Sequence, residues 1–490
     1  VNTLNLLVTV DNRIRLPSET PTELVKRLKE VTTHPNPEYG KARALGRWVG
    51  SVPTEIKTWR MDVRSTAAGK QFSFPRGVAG LVRSHAASLG IVIRWSDKRT
   101  SVPVDWKPFL VEPRPYQSEG IAACVEREQG IVKAPTGSGK TSMALGALPQ
   151  LKQRALVIVR DRNLLEQWLE RAESELGLKK REVGVVSGGK RRIGERLTLS
   201  LQQTLYSKSF PLEEFAQQFG AVLVDEVHEA AARTVSETVD AFPARVRLGF
   251  SADHRRRDRK EFLSEDLFGD VIFEVSKQQL EAEKHVVPVV VRLVPTAFAA
   301  DWYADAPTEE RDFMKLISEM SADEERGLLL RRVVLELVSS GCAPVLVFTH
   351  RREHASRLAE RELPADGVPT GLLLGSAGSA VQFEESKSLL LKGVLKVAVG
   401  TFKAVGQGID LPNVMAGVCA TPIGANKQFF GQVRGRVCRV WPGKQVGYLY
   451  YLWDEQVFPD AGRNLLNWND GLVEIFDRAN KQWMTFRGSP

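Results

Sequence analysis

Cysteine is scarce in this chain: four in 490 residues (Cys124, Cys342, Cys419 and Cys438), far apart and without CxxC or Cys/His spacing. That excludes a disulfide scaffold and a zinc module, and reduced thiols in a cytosolic protein are the expectation. Long apolar runs are missing too. None approaches the roughly 20 residues needed to span a bilayer, so no membrane partner is expected. The opening Val-Asn-Thr has no basic-then-apolar leader pattern. Solenoid repeats and low-complexity tracts are absent. Acidic residues are the minority, 59 against 68 Lys plus Arg, for a net charge of +9. A basic balance fits a polyanionic partner without establishing one.

What is present is ordinary globular material, 43% hydrophobic and 26% charged, long enough for two to four domains. The first hundred or so residues differ in texture from the rest. They carry a strand-like run (4–10), a polar helix (22–31) and a turn-rich stretch (34–40), with about two basic residues per acid. A small α+β domain with a solvated face and a DNA-gripping surface are both open readings of that balance. From about residue 109, short apolar runs alternate with amphipathic helical stretches such as 164–176. Runs at 130–133, 155–159, 221–224 and 247–250 read as buried strands. A second set follows at 344–348, 371–374, 395–399, 416–419 and 447–452. The alternation predicts two successive parallel sheets wrapped by helices. The stretch 276–321 is expected to connect them, and the residues after 453 to form a short tail.

The run APTGSGKT (134–141) follows one predicted strand and precedes a helical run. Glycines there let backbone N–H groups face a polyphosphate, and the helix N-terminus adds partial positive charge. Pro135, Thr136, Gly137, Ser138 and Gly139 would form the cradle. Lys140 would reach the β- and γ-phosphates of ATP, and the Thr141 hydroxyl would ligate Mg2+. Ala134 stands where the general pattern has its first glycine. Eighty-five residues beyond Lys140, strand 221–224 ends in Asp225-Glu226-Val227-His228. Ligands bind at the carboxyl ends of strands in such sheets. Asp225 is assigned to the metal, Glu226 to the attacking water, and His228 to a relay from the γ-phosphate. An ordinary helix cap is the alternative for the acids, and a structural histidine for His228.

With DEVH as its DExH box, the chain resembles superfamily 2 helicases over residues 109–458. RPYQ (114–117) is similar to the adenine-reading motif, which implies Arg114 and Gln117 at the base. RDRN (160–163) and the segment 198–204 resemble first-domain nucleic-acid contacts, implying Arg160, Arg162, Asn163, Gln203 and Thr204. Ser251-Ala252-Asp253 resembles the coupling motif, with Asp253 and His254 replacing the usual Thr-Pro. The adjacent Arg255, Arg256 and Arg257 read equally as a backbone contact, with Arg256 the candidate, or as a solvated basic turn.

In the second half, Phe348-Thr349-His350 and Arg351 resemble the fourth motif, implying backbone contacts from Thr349 and Arg351. The run from Gly400-Thr401 to Pro412 resembles motif V, implying Thr401 on the backbone and Gly408 and Asp410 on the nucleotide. QVRGRVCR (432–439) resembles the arginine-finger motif. It implies Gln432 at the nucleotide and Arg436 with Arg439 at the γ-phosphate, three residues apart on one helical face.

The segment DLFGDVIFE (266–274) with Leu280 and Val287-Pro288 resembles the linker of the XPB-like and UvsW-like, phage-type DNA helicases. Asn36 to Tyr39, Gly46-Arg47 and Phe74 to Gly77 carry a weaker likeness to a module that precedes them. The resemblance implies two tandem RecA-like parallel-sheet domains (109–290 and 291–458) after a small α+β N-terminal domain (1–108), with a tail (459–490). It also implies a monomeric motor that hydrolyses ATP with Mg2+ between its domains and moves on forked or branched DNA, unwinding, migrating branches or remodelling forks. Such a motor works in the cytoplasm of a bacterial or phage-infected cell. An RNA helicase, and a clamp or partner-binding subunit with little hydrolysis, are the competing readings.

Overall fold

The computed structural model describes residues 4–487 except 45, 47, 67–68, 228–232, 253–259, 308–310, 376–379, 406–408, 410, 425–426 and 470–471. It divides into two compact units, Val1–Pro135 with Gly139–Ser276, and Thr136–Ser138 with Lys277–Pro490. Two tandem RecA-like sheets follow a small N-terminal α+β domain.

The N-terminal domain is built on β1 (Leu4–Val10), β2 (Ile14–Leu16), β5 (Arg60–Thr66), β6 (Gly69–Phe74) and β7 (Ile91–Asp97), in the order β5-β6-β2-β1-β7. The pair β1–β7 is parallel and the others antiparallel. Alternation along β1 buries Leu6 and Val8 and leaves Leu7 60% exposed, the period-2 signature of a one-sided sheet. Helix Thr22–Val31 buries Leu24, Val25 and Leu28 in the same core as Phe74 and Val82. The stretch 34–40, expected to be turns, is ordered secondary structure: β3 (Thr33–Pro35) pairs with β4 (Glu55–Lys57), and helix Pro37–Ala44 follows. Asn36 accepts the Glu38 amide at 3.1 Å and Pro37 opens the helix, so the polar Asn-Pro pair that reads as a turn is a helix start.

This domain is welded to the sheet that follows it. Arg13, Arg76 and Arg247 are all nearly fully buried. Arg13 pairs with Asp240 at 2.5 Å and donates to Ser73 Oγ and the Thr58 carbonyl. Arg76 donates to the carbonyls of Ala244 and Arg245 and to Gln129. Arg247 reaches back to the Asn12 carbonyl at 3.1 Å. His34 stacks on Phe262 and meets Asp266 at 2.9 Å. A Cβ on Gly77 would lie 2.1 Å from the Glu265 carbonyl, so the backbones touch there and only glycine fits.

The first large sheet has the order β11-β10-β12-β9-β13-β14-β8-β15. Its strands are β8 (Gln129–Lys133), β9 (Ala155–Val159), β10 (Gly184–Ser187), β11 (Lys190–Arg192), β12 (Leu197–Leu201), β13 (Ala221–Asp225), β14 (Val246–Ser251) and β15 (Val271–Glu274). All neighbours are parallel except β10–β11. Every residue of β9, β13 and β14 is buried, as helices on both faces require. Parallel pairing brings the carboxyl ends of β8, β9, β12, β13 and β14 to one edge.

The second sheet runs β18-β19-β17-β20-β21-β16-β22-β23. These are β16 (Val289–Pro295), β17 (Val345–Thr349), β18 (Thr370–Leu373), β19 (Val397–Thr401), β20 (Ala416–Cys419), β21 (Gly447–Trp453), β22 (Leu472–Asp477) and β23 (Gln482–Arg487). Only β22–β23 is antiparallel. Part of the stretch expected to be connecting chain is thus a strand, β16, paired on both sides. The short tail adds two strands to the same sheet instead of standing apart. No helix among the described residues is long and apolar enough to cross a membrane.

Candidate nucleotide and nucleic-acid sites

The run 134–139 is a loop between β8 and helix Lys140–Leu151. Gly137 and Gly139 have φ of 92° and 83°, a region open to glycine at little cost. Lys140 is the first helical residue. Its Nζ lies 3.1 Å from the Ala134 carbonyl and 4.0 Å from a Glu226 carboxylate oxygen, so the amine curls back over the loop. Thr141 is half-buried beside it and Ser138 is fully buried.

Gln117 sits in the first turn of helix Pro115–Arg127 and accepts the Arg114 amide at 3.0 Å in a capping arrangement. Its amide nitrogen lies only 2.3 Å from where a Cβ on Gly139 would stand. The two motifs, 22 residues apart in sequence, are therefore in direct contact. Arg114 donates to the Tyr116 hydroxyl at 3.3 Å.

Asp225 closes β13 and is buried. Its carboxylate accepts from Trp168 Nε1 at 2.8 Å and from the Glu226 amide at 3.0 Å. Burial, and then the neighbouring Glu226 charge, push it up to about 6 against the pull of Trp168 and Lys140. Glu226 has φ of 51°. A side-chain-bearing residue seldom adopts that backbone, and such strain concentrates at functional sites. Trp168 escaped the reading of the sequence, because it sits in the apolar stripe of helix Arg162–Leu176. Nothing local shows that its indole nitrogen meets a carboxylate 57 residues away. The group of buried Ser142 and Glu175 with half-buried Arg171, joined at 2.8–3.0 Å, has no local sign in the sequence either.

Among the backbone-contact candidates, Arg160 lies at the end of β9 and pairs with Asp161 at 2.9 Å. Asp161 caps helix Arg162–Leu176, so Arg162 and Asn163 are its first turn. Gln203 is exposed in helix Gln202–Leu205, and Thr204 accepts the Gly188 amide at 3.2 Å. All stand at the carboxyl edge of the first sheet. His228 and Arg256 lie outside the described residues, as do Gly408 and Asp410 in the second unit.

In the second unit, Thr401 ends β19 and accepts the Ala404 amide at 3.3 Å. Arg351 is half-buried and donates to the Met314 carbonyl and to Ser318 Oγ at 2.6 Å. Thr349 departs from its expected role. Its side chain is fully buried and bonded to His354 at 2.9 Å, because β17 is buried along its whole length and Thr349 turns inward against the helix that follows. Arg436 and Arg439 also depart from the expected helical pair. Helix Lys427–Arg434 ends before them, and the chain turns so that Arg439 bridges Val286 in antiparallel fashion. Arg436 is buried and donates to the Ile409 carbonyl at 2.5 Å, while Gln432 is buried within the helix. A closing turn at Val433–Val437 replaces the helical continuation.

The family model for the res subunit of type III restriction enzymes matches residues 110–256. The DNA 3'-5' helicase XPB of Kineococcus radiotolerans is 29% identical over 335 residues, 66% of this chain and 57% of that protein. The DNA 3'-5' translocase XPB2 of Sulfurisphaera tokodaii is 29% identical over 194 residues, covering 39% and 42%. The chain spans about half the length of the curated relatives it matches. S. cerevisiae Dbp5 bound to RNA and ADP BeF3 superposes with a TM-score of 0.53 at 14% identity, covering 75% of this chain and 90% of that one, which speaks to the fold alone. By its motif series, its two mostly parallel sheets and its sequence relatives, the chain is similar over about two thirds of its length to DExH-box helicases of superfamily 2, in their XPB-like branch.

Proposed function

We propose that this chain is an ATP-dependent DNA translocase that works on forked or branched DNA. The observation that carries the reading is the grouping of Lys140, Glu226 and Asp225 at the carboxyl edge of the first sheet beside a glycine loop with two left-handed glycines. That grouping suits a phosphate substrate. The loop offers backbone N–H groups, Lys140 a mobile cation, and Asp225 a carboxylate held in one orientation by Trp168.

The same residues suit Mg2+, with the Thr141 hydroxyl and Asp225 as its protein ligands. When bound, the ion would draw charge from the β- and γ-phosphate oxygens. Glu226 orients the attacking water and takes its proton. Lys140 steadies the phosphates as negative charge shifts toward the leaving group. Gln117, stacked against the loop at Gly139, holds the base, where a glutamine amide can pair with adenine. Arg436 and Arg439 carry the transition-state role their motif implies, and His228, Gly408 and Asp410 the sensing roles of theirs.

DNA is favoured as the polymer because the XPB relatives carry DNA in their names and the chain is basic. Arg160, Arg162, Asn163, Gln203 and Thr204 supply a track for backbone on the first sheet, with Thr401 and Arg351 on the second. Such contacts are largely independent of sequence and weaken with salt. The N-terminal domain would then bias the motor toward branched DNA through its exposed basic residues. Arg13, Arg76 and Arg247 make that domain part of the first unit, so point substitutions on its surface test it better than removal.

The test is ATP hydrolysis measured at fixed salt without polymer and with single-stranded DNA, duplex, fork, four-way junction and single-stranded RNA. Stimulation strongest with fork or junction supports the reading, provided Lys140→Ala abolishes it. Stimulation by RNA alone transfers the chain to RNA helicases. No stimulation by any polymer removes the motor.

A further inference from the structure

The outer edge of the first sheet carries a cationic cluster that no helicase motif includes. Lys179, Lys180 and Arg181 follow helix Arg162–Leu176, and Lys190, Arg191 and Arg192 form β11; all six are exposed. The fold brings the two triplets together. Arg192 donates to the Val183 carbonyl at 2.5 Å, to the Lys180 carbonyl at 3.1 Å, and to the Arg181 carbonyl. Arg191 lies 5.1 Å over the Phe210 ring. Two glycines lock the hairpin base: a Cβ on Gly184 would sit 2.2 Å from the Gly194 amide, and one on Gly194 2.1 Å from the Leu197 carbonyl.

Nearby acids do little to neutralise this edge. Glu182 is engaged by Lys107 at 2.9 Å, and Glu195 by Arg196 at 3.2 Å. Glu166 approaches Lys180 only to 3.8 Å, with both side chains at least half exposed, a pairing of little strength in water. The hairpin turn is tied to the nucleic-acid track, since the Gly188 amide donates to Thr204. The cluster is therefore a sideways extension of that edge.

We infer that Lys179, Lys180, Arg181, Lys190 and Arg191 form a second phosphate-backbone contact that holds a duplex arm of the DNA, with Arg192 as the staple that positions them. Neither triplet contains an aromatic residue, and the ring beneath Arg191, Phe210, is buried, whereas single-strand sites combine charge with exposed stacking platforms. A duplex presents one charge per ~1.7 Å of axis, the denser target for a compact cation cluster. The inference rests on the proposed DNA motor.

The test uses the full chain with Lys179→Ala, Lys180→Ala and Lys190→Ala combined, which leaves Arg191 and Arg192 to keep the hairpin folded. Binding to a blunt duplex and to oligo-dT is titrated between 50 and 200 mM salt, beside hydrolysis without polymer. The salt slope on duplex is expected to fall by about three, with affinity at least ~10-fold weaker. Oligo-dT binding and basal hydrolysis stay as they were. A Lys190→Glu variant should weaken duplex binding further than Lys190→Ala. An unchanged duplex slope, or an equal loss on oligo-dT, overturns the duplex contact while leaving the motor standing. An unmodified chain that binds no DNA overturns both.

Discussion

The indole nitrogen of Trp168 donates a 2.8 Å hydrogen bond to the carboxylate of Asp225, joining the helix after β9 to the end of β13. That bond stabilises the charged form of an acid that burial and Glu226 push up to about 6. Trp168→Phe removes the donor and keeps an aromatic ring. Loss of a hydrogen bond to a charged group is worth about 1.5 kcal/mol or more, close to one pH unit. Without Mg2+ or nucleotide, the pH at which the Asp225 carboxylate takes up its proton should therefore move upward by about one unit, as its carboxyl 13C chemical shift would register. An unmoved shift would remove the Trp168 hydrogen bond as a stabiliser of the charged form.

Asp225 also makes a stability prediction. An acid whose folded value lies above its unfolded value binds its proton more tightly in the native state. Its charge costs stability above about pH 6, and the cost fades as pH falls toward the unfolded value near 4. Asp225→Asn keeps an acceptor for Trp168 and relieves the repulsion with Glu226. Thermal unfolding at pH 8 should shift upward by a few degrees, on the order of 1 kcal/mol, with little gain at pH 4, while hydrolysis is lost. A variant less stable than the parent at pH 8 would contradict this account.

Gly139→Ala would place a Cβ 2.3 Å from the Gln117 amide at a φ of 83°. The amide must give way and the backbone is strained. The KM for ATP should rise by about 10-fold, the worth of ~1.4 kcal/mol. Gln117→Ala should raise it similarly and narrow the preference for ATP over GTP in a competition assay. A KM untouched by either change would dissociate Gln117 from the base.

The pair Arg13–Asp240 predicts a structural role for the N-terminal domain. Arg13→Ala leaves Asp240 buried with the half-exposed Arg60 at 3.0 Å and the more distant charge of Arg247. Breaking a buried pair costs about 3 kcal/mol or more, which urea unfolding would register. The double change Arg13→Met with Asp240→Leu should recover much of the loss. No recovery would mean that the hydrogen bonds to Ser73 and Thr58 matter more than the charge pair.

What the sequence by itself determined was the local chemistry and its order. The glycine loop, the Asp-Glu pair after an all-apolar strand, and the alternation of buried runs with amphipathic stretches are local patterns, and β1, helix Thr22–Val31 and β9 occupy the residues their periodicity marks. Tertiary structure decided the rest, because the deciding partners are distant in sequence. Trp168 reads as core until β13 delivers Asp225 to it, and Thr349 reads as a contact until its neighbours bury it against His354. The arginines at 436 and 439 are spaced for a helix that ends at Arg434. The residues after 453 read as a tail until β22 and β23 find the edge of the second sheet at β16. Arg13, Arg76 and Arg247 carry no local sign of burial. Only packing of the N-terminal domain against the first large sheet supplies the carbonyls and the carboxylate that let three guanidinium groups leave water.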